Sequence, residues 1–569
     1  MPLSGRRAPR SLLVALVLYL ALAATTVRAV GVVGEVDLSW ALGRPPAALV
    51  QLDPPLWADG ATPPTAGSRL GPLVASQVRP VEGLRLGPVA LPLAVNSYTG
   101  GLADWPARAV WLLTGSRRAV IALHVALGAV LLVLLHRFLR FRGTDVAAAV
   151  AALVLASDWS FLFYRKVLGG TEILLLAAGL LCLWALWSRR WSGGRHGLLA
   201  LGVGIGLGFQ AKLTFSLSLV ALLATALLMR WDKPQLSAPR RGGALDGLLA
   251  AVLLTSPLWI AALHHGLALP EHVPSHDFPA TQGRRVLSAL SGGPGPAREG
   301  LANLWFYLAR PLAFFGPAYG VTELPGPSPW RLSGCLLVLA GVGLGWKDRH
   351  PTPQDALLRF TSVYLLLQLG LLWLVARDLH HMAQATPTFA IVAGLALDRL
   401  AGVATPPRSP RRALVALLLS LPLVIGGISA LARTDEVVRR VPVPTFPERG
   451  QADLVSLLRG AGVRRLVLAD YESYGMLELL VPEIRVEHAW PAVARQGPGA
   501  LPQVLERAQG AWFLELHASQ PMGYNLRPSA RQLQAAADQA GLVLTRVGAL
   551  PGDAAVLYRV DRADGLSPG

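Results

Sequence analysis

Cysteine is scarce here. Of 569 residues only Cys182 and Cys335 carry a thiol, and both lie inside apolar runs. A disulfide framework and a CxxC metal site are therefore excluded. Charge is thin as well: charged residues make up 15%, against roughly 25% in soluble domains. Lysine is nearly missing, with only Lys166, Lys212, Lys233 and Lys347, so the net charge of +18 is almost all arginine. These arginines sit mainly in short loops between apolar runs, and the stretch from Thr434 is close to neutral. That placement argues against a nucleic-acid partner. No P-loop lysine motif and no nucleotide-binding domain occur, which argues against an ATP-driven transporter.

What is plentiful is apolar sequence, 53% of residues. It is gathered into about eleven runs ending at Leu431. Runs of this size suit helices crossing roughly 30 Å of hydrocarbon. The first is Ser11 to Val33, and the others fall at approximately 119–136, 145–163, 172–187, 197–209, 213–229, 245–263, 332–346, 356–376, 384–399 and 412–431. Arg6, Arg7 and Arg10 precede the first run, which predicts a cytoplasmic N-terminus. Alternate short loops then hold the bases: Arg137, Arg140 and Arg142; Arg189, Arg190 and Arg195; Arg230, Lys233, Arg240 and Arg241; Lys347 and Arg349; Arg399, Arg408, Arg411 and Arg412. The opposite short loops carry only Arg165 with Lys166, Lys212, and Arg377. Two long segments, about 34–118 and 264–331, fall outside.

Two stretches admit rival readings. Gly197 to Met229 as one helix would be about 50 Å long. That overshoots the bilayer and inverts every later loop, so a break at Gln210–Lys212 is expected. The first run also resembles a signal peptide, but Val27-Arg28-Ala29 is a poor cleavage site. The expected architecture is mainly α: a polytopic transmembrane bundle of about eleven spans over residues 1–433. A small α/β extracytoplasmic domain follows over 434–569. Arg465–Ala469, Ala511–Leu516, Leu542–Val547 and Ala555–Val560 read as strands. Ser529–Ala540 reads as a helix stopped by Gly541. Arg440–Gly450, with three prolines, reads as a stiff linker.

Few residues in such a chain can carry chemistry. Glu35 and Asp37 follow the first span in Gly34-Glu-Val-Asp37. Two carboxylates there can act as a general base or hold a divalent cation. Equally, they are a pair of solvated loop acids. Asp158 lies near the end of the third run, where an ionisable group is a functional candidate by default. Its structural alternative is an ion pair with Arg165 or Lys166. Glu172 suits a helix N-terminus and reads as structural. Lys212, in the expected break, suits a phosphate or merely snorkels to the interface. Arg377 suits bidentate phosphate recognition, with His380 and His381 beside it. His264, His265, His272, His276 and Asp277 lie in a Pro-rich loop and make a weak metal site. Gly202, Gly204, Gly206 and Gly208 have no strand before them, so close helix packing explains them better than a dinucleotide loop.

The order of these features resembles the membrane glycosyltransferases of the GT-C fold, particularly bacterial members of the protein-mannosyltransferase superfamily, including the RgtA/B/C/D-like group. The likeness rests on the acidic pair Glu35 and Asp37 in a long external loop, and on Leu93-Ala-Val-Asn-Ser-Tyr-Thr-Gly-Gly-Leu-Ala-Asp-Trp105 with Tyr98 and Asp104. It also rests on Asp158 and on Gly206-Leu-Gly-Phe-Gln-Ala-Lys-Leu-Thr214. It covers the topology of roughly residues 10–430. The family's adjacent Asp-Glu is Glu-Val-Asp here, which leaves open which acid is catalytic. The resemblance implies sugar transfer from a polyprenyl-phosphate donor to a lipid, glycan or protein acceptor, outside the cell (inner) membrane. In that frame Asp37, or failing that Glu35, deprotonates the acceptor. Asp158 orients it or shares a cation with the pair. Lys212 with Arg377 or Arg165 steadies the lipid phosphate, while Asp104, Tyr98, Lys166, His380 and His381 line the substrates. Rival readings are a glycan polymerase or ligase of the same membrane face, a transporter or flippase, and an inactive relative.

Overall fold

The computed structural model describes residues 10–27, 82–86, 89–94, 101–162, 169–192, 195–212, 214–229, 245–257, 328–348, 351–376, 383–406, 409–440, 448–468, 477, 480–488, 497–516, 529–553 and 555–562. Each of the eleven apolar runs contains a helix. They are α1 (Arg10–Val27), α3 (Arg117–Arg142), α4 (Asp145–Ser157), α5 (Gly169–Ser192), α6 (Arg195–Ala211), α7 (Phe215–Leu228), α8 (Leu245–Pro257), α9 (Pro329–Lys347), α10 (Pro353–Ala376), α11 (Thr386–Ala404) and α12 (Pro410–Arg440). By length and composition four of the described helices can cross a membrane unaided: those covering Arg118–Phe141, Pro353–Leu372, Ala383–Ala404 and Pro410–Ala432. The expected break is present, since α6 ends at Ala211 and α7 begins at Phe215.

Helix α4 is the hub. Its sequence DVAAAVAALVLAS is mostly alanine and valine, and ten of its residues are fully enclosed. Alanine leaves room for neighbours to come close, so α1, α3, α11 and α12 all pack on it. Two glycines complete the fit. A Cβ on Gly394 of α11 would lie 2.4 Å from the Ala147 carbonyl oxygen, and one on Gly427 of α12 would lie 2.0 Å from that of Ser157. Without a hydrophobic drive between helices in lipid, such close contact supplies the attraction. The α6 glycines act likewise. A Cβ on Gly202 would collide with the Gly247 backbone of α8, and one on Gly204 with Cys182 of α5.

The pairing of side chains sorts the helix ends into two rims. Near the N-terminus of α4, Thr144 donates to Asp398 at 2.6 Å, Gln354 donates to it at 2.7 Å, and Arg412 pairs with it at 2.6 Å. Arg399 pairs with Asp348 and Asp355, and Arg140 with Asp145. The start of α1 is at this rim too, where Ser11 meets His136. The C-terminal end of α4, about 20 Å away by helical rise, marks the opposite rim. Arg140, Arg399 and Arg412 thus gather on one side.

The C-terminal part holds a five-stranded mixed sheet in the order β4-β3-β5-β7-β6. Its strands are β3 (Arg465–Leu468), β4 (Arg485–His488), β5 (Trp512–Leu516), β6 (Leu542–Ala549) and β7 (Ala555–Arg562). β3 runs parallel to β4 and β5, and β7 antiparallel to β5 and β6. Helices α13 (Glu448–Gly460), α14 (Leu501–Arg507) and α15 (Ala530–Gln539) accompany it. Side chains alternate between faces: Leu466, Leu468 and Leu514 enter one core, Val467 and Phe513 the other. The four expected strands and the helix appear, the helix with a Ser529–Gln532 capping box and Gly541 at φ +65° after it. β4 was not expected, because Arg485, Glu487 and His488 hide a strand of only four residues. Helix α12 runs through the expected domain boundary at 433/434 and on to Arg440. Residues 441–447 of the expected linker lie outside the described residues.

One face of the sheet shares its core with Ala107, Val120 and Ile121. These belong to α2 (Trp105–Thr114) and the start of α3. The sheet is thereby fastened to the rim opposite the basic one. A short hairpin, β1 (Glu82–Leu86) with β2 (Val89–Ala94), precedes α2.

Gly427→Ala should lower the thermal midpoint of the detergent-solubilised protein, since overpacking costs about 1–3 kcal/mol. Gly343→Ala, in α9 with open space around the added methyl, should leave the midpoint unchanged or raise it.

Candidate active site

Asp158 closes α4 and caps the short helical stretch after it. Its backbone is extended, at φ −68° and ψ 123°. Residues 159–162 resume as helix. The Asp158 Oδ1 accepts from the Phe161 N–H at 3.2 Å and from the Ser160 hydroxyl. This is the N-cap geometry, a carboxylate on exposed N–H groups at the positive end of a helix. The third run therefore ends its first helix at Ser157, earlier than its apolar stretch suggests.

The other carboxylate oxygen faces a guanidinium. Arg331 Nη1 donates to Asp158 Oδ2 at 3.0 Å, with both side chains almost wholly buried. Arg331 also lies 6.0 Å from the Phe389 ring centroid, within cation–π range. Its backbone N–H is capped by Ser328, in the Ser-Pro start of α9. Sequence reasoning missed Arg331 and offered Arg165 or Lys166 instead. The available signal was an arginine within the first helical turn after a Pro-rich loop.

From Asp158 a chain of polar side chains leads sideways. Ser160 Oγ meets Thr386 Oγ1 at 3.1 Å. Two residues earlier, Gln384 donates from Nε2 to Thr214 Oγ1 at 3.0 Å and accepts at Oε1 from Ser218 at 3.2 Å. Gln368 donates to Ser218 at 2.9 Å and to the Gln384 carbonyl at 3.3 Å. Beside this network lies a small cavity whose lining includes Tyr364, Gln368, Gln384 and Thr388. Thr214 begins α7 directly after the break that carries Lys212. The chain of contacts thus ties the break to the Asp158–Arg331 pair.

Lys212 is buried to 2% exposure, its N–H still bonded to Gly208 at 3.0 Å. Asp104, also at 2%, ends a 3-10 turn (Leu102–Asp104) that packs against both α5 and α6. Arg108, one turn into α2, is buried beside it in sequence, and burial lowers its pKa. Of the expected site residues, Asp104, Asp158 and Lys212 are therefore all enclosed polar groups. Glu35, Asp37, Tyr98, Arg165, Lys166, Arg377, His380 and His381 lie outside the described residues, as do the loop histidines and Asp277. Of Glu172 only the backbone, in α5, is described. Among the described residues no three His, Cys, Asp or Glu side chains gather as for a metal ion.

This helix bundle, closed at one rim by an α/β sheet, has the GT-C fold. The crystal structure of ArnT from Cupriavidus metallidurans bound to undecaprenyl phosphate superposes with a TM-score of 0.55 at 11% identity, covering 99% of this chain and 100% of that one. ArnT in the apo state gives 0.50 at 11% identity, covering 98% and 99%. A looser likeness, TM-score 0.42 at 14% identity, is to the oligosaccharyltransferase AglB of Archaeoglobus fulgidus in complex with an inhibitory peptide and a dolichol-phosphate. It covers 84% of this chain and 64% of that one. No curated protein matches in sequence. Residues 101–260 match the family described as dolichyl-phosphate-mannose-protein mannosyltransferase. The resemblance to GT-C-fold glycosyltransferases of the protein-mannosyltransferase kind is borne out by fold and by that segment.

Arg331→Met should destabilise the protein by about 3–5 kcal/mol, because it strands a buried carboxylate. The double variant Asp158→Asn with Arg331→Met should recover most of that loss. Unfolding in mixed detergent micelles measures both.

Proposed function

We propose that this protein moves a sugar from a polyprenyl-phosphate donor to a lipid, glycan or protein acceptor on the extracytoplasmic face of the cell membrane. The observation that carries the reading is the enclosed polar corner at one rim. There Asp158 bonds Arg331 and, through Ser160, reaches Thr386, while Gln384, two residues before Thr386, bonds Thr214 just after the helix break of Lys212, on the side where the α/β sheet is fastened. A donor of this class keeps its tail in lipid while its phosphate and sugar meet polar groups. A helix bundle with buried ionisable residues at one rim meets that demand. The gathering of arginines at the opposite rim favours the Asp158 rim as the outer one, since bases concentrate in cytoplasmic loops. The undecaprenyl phosphate bound to ArnT adds support for a polyprenyl lipid.

Roles follow from how each group is held. Asp158 has one oxygen on Arg331 and the other on Ser160 and the Phe161 N–H. A carboxylate so occupied positions its surroundings and is poorly placed to take a proton. The general base is then Asp37, with Glu35 beside it, and either can share a divalent cation. Lys212, with Arg377 or Arg165, stabilises negative charge on the departing lipid phosphate. Fixed cations aimed at developing charge give electrostatic stabilisation in a dry site. Asp104, Tyr98, Lys166, His380 and His381 contact the sugar or the acceptor.

In membranes supplied with radiolabelled polyprenyl-phosphate sugars, Asp37→Asn should reduce transfer by roughly 10²–10⁴, the range for a lost general base. Lys212→Met should reduce it by about 10² or more, comparable to losing one oxyanion donor. Full transfer by both the Asp37→Asn and Asp158→Asn proteins would reject these roles. Lipid scrambling without product would favour a flippase.

A further inference from the structure

Gln210 lies in the last turn of α6, two residues before Lys212. It is 0% exposed, and among the described residues neither its amide nitrogen nor its amide oxygen has a hydrogen-bond partner. Buried polar groups are almost always paired, and leaving one unpaired costs its full desolvation. Leucine or methionine would fill the same volume, keep the helix propensity and avoid that cost. The glutamine therefore weakens the ligand-free protein at the place where its amide is held.

Its surroundings point to a ligand. Buried Lys212 follows two residues later, and the turn that ends at buried Asp104 rests on the same helix, α6. In the same stretch, Phe209 and Phe215 stack edge to face at 6.0 Å. A Cβ on Gly208 would meet the Phe215 ring at 2.3 Å. The backbone of this turn is firmly held while its amide is left unsatisfied.

The amide also selects its partner chemically. A phosphate at neutral pH offers acceptors and would satisfy only the nitrogen. An ammonium or guanidinium offers donors and would satisfy only the oxygen. Neighbouring hydroxyls donate and accept, so they satisfy both. We propose that Gln210 reads the hydroxyls of the sugar carried by the donor lipid, beside the phosphate held by Lys212. The proposal rests on the transfer reading above and adds a specificity-determining residue to it. Because the amide is enclosed, this reading requires the corner to open when the sugar binds. A pocket that hydrogen-bonds a substrate hydroxyl strongly rejects an analogue lacking it.

The test uses full-length protein in nanodiscs with undecaprenyl phosphate and with undecaprenyl phosphate bearing mannose, glucose, galactose or arabinose. Gln210→Leu and Gln210→Met should be as thermostable as the unaltered protein, or more so, without lipid. Both should bind bare undecaprenyl phosphate within about twofold of the unaltered protein. Both should lose about tenfold or more in affinity for whichever sugar-bearing lipid it prefers, as expected for one buried hydrogen-bonding group. Lower melting temperatures in both variants, or equal weakening towards bare and sugar-bearing lipid, would make the amide structural and overturn the proposal. It is also overturned if the unaltered protein binds bare undecaprenyl phosphate but gains nothing from any sugar. An unaltered protein that binds none of these lipids removes the transfer reading itself.

Discussion

The interaction on which the site depends is the ion pair between Asp158 and Arg331. Taking two charges out of water costs several kcal/mol per ion. The pair persists because every strong contact of the carboxylate is met, by Arg331 on one side and by a helix N-terminus and Ser160 on the other. That requirement positions four helices together. α4 must end at Ser157, α9 must start beside it, and α11 must bring Phe389 and Thr386 to the same point. α12 must come close enough that only glycine fits at 427. Shifting any of these elements would leave a buried charge without its partner.

A second acid–arginine cluster, at the other rim, shows what a closed structural clasp looks like. Asp398 is fully buried and receives Thr144, Gln354 and Arg412. It joins loop to helix and helix to helix. The Asp158 rim differs. From Ser160 a hydrogen bond reaches Thr386, and two residues away Gln384 bonds the start of α7, while the neighbouring turn holds a lysine and a glutamine that a purely structural corner would replace with apolar residues. Stability and chemistry therefore pull apart at this rim and agree at the other.

The α/β sheet adds a constraint of its own. By sharing its core with Ala107, Val120 and Ile121, it ties α2 and the preceding Asp104 turn to a rigid body. A buried acid on a 3-10 turn is otherwise easily displaced. Packing on α5 and α6 from one side and through α2 onto the sheet from the other holds it between bundle and sheet. The position of this segment is thus a property of both parts of the chain.

Much of the architecture was legible in the residues. Apolar run length announced the helices, because spanning hydrocarbon imposes a length. The Gln-Ala-Lys interruption announced the break between α6 and α7. The glycine stripe announced close packing, and Ser529 with Gly541 announced the ends of a helix. These are local signals, written within a few residues of where they act. Asp158 was visible as an ionisable group in an apolar run, but its partner was not. Arg331 is 173 residues away, and no periodicity encodes which of many arginines will arrive. The network through Thr386, Gln384 and Thr214 was equally hidden, as was the isolation of Gln210. Each depends on distances between helices that only packing sets. Sequence by itself determined which segments are helical, where they break and which rare charges matter. The tertiary structure alone decided which of those charges meet, because partner choice in a dry interior follows from geometry across the fold.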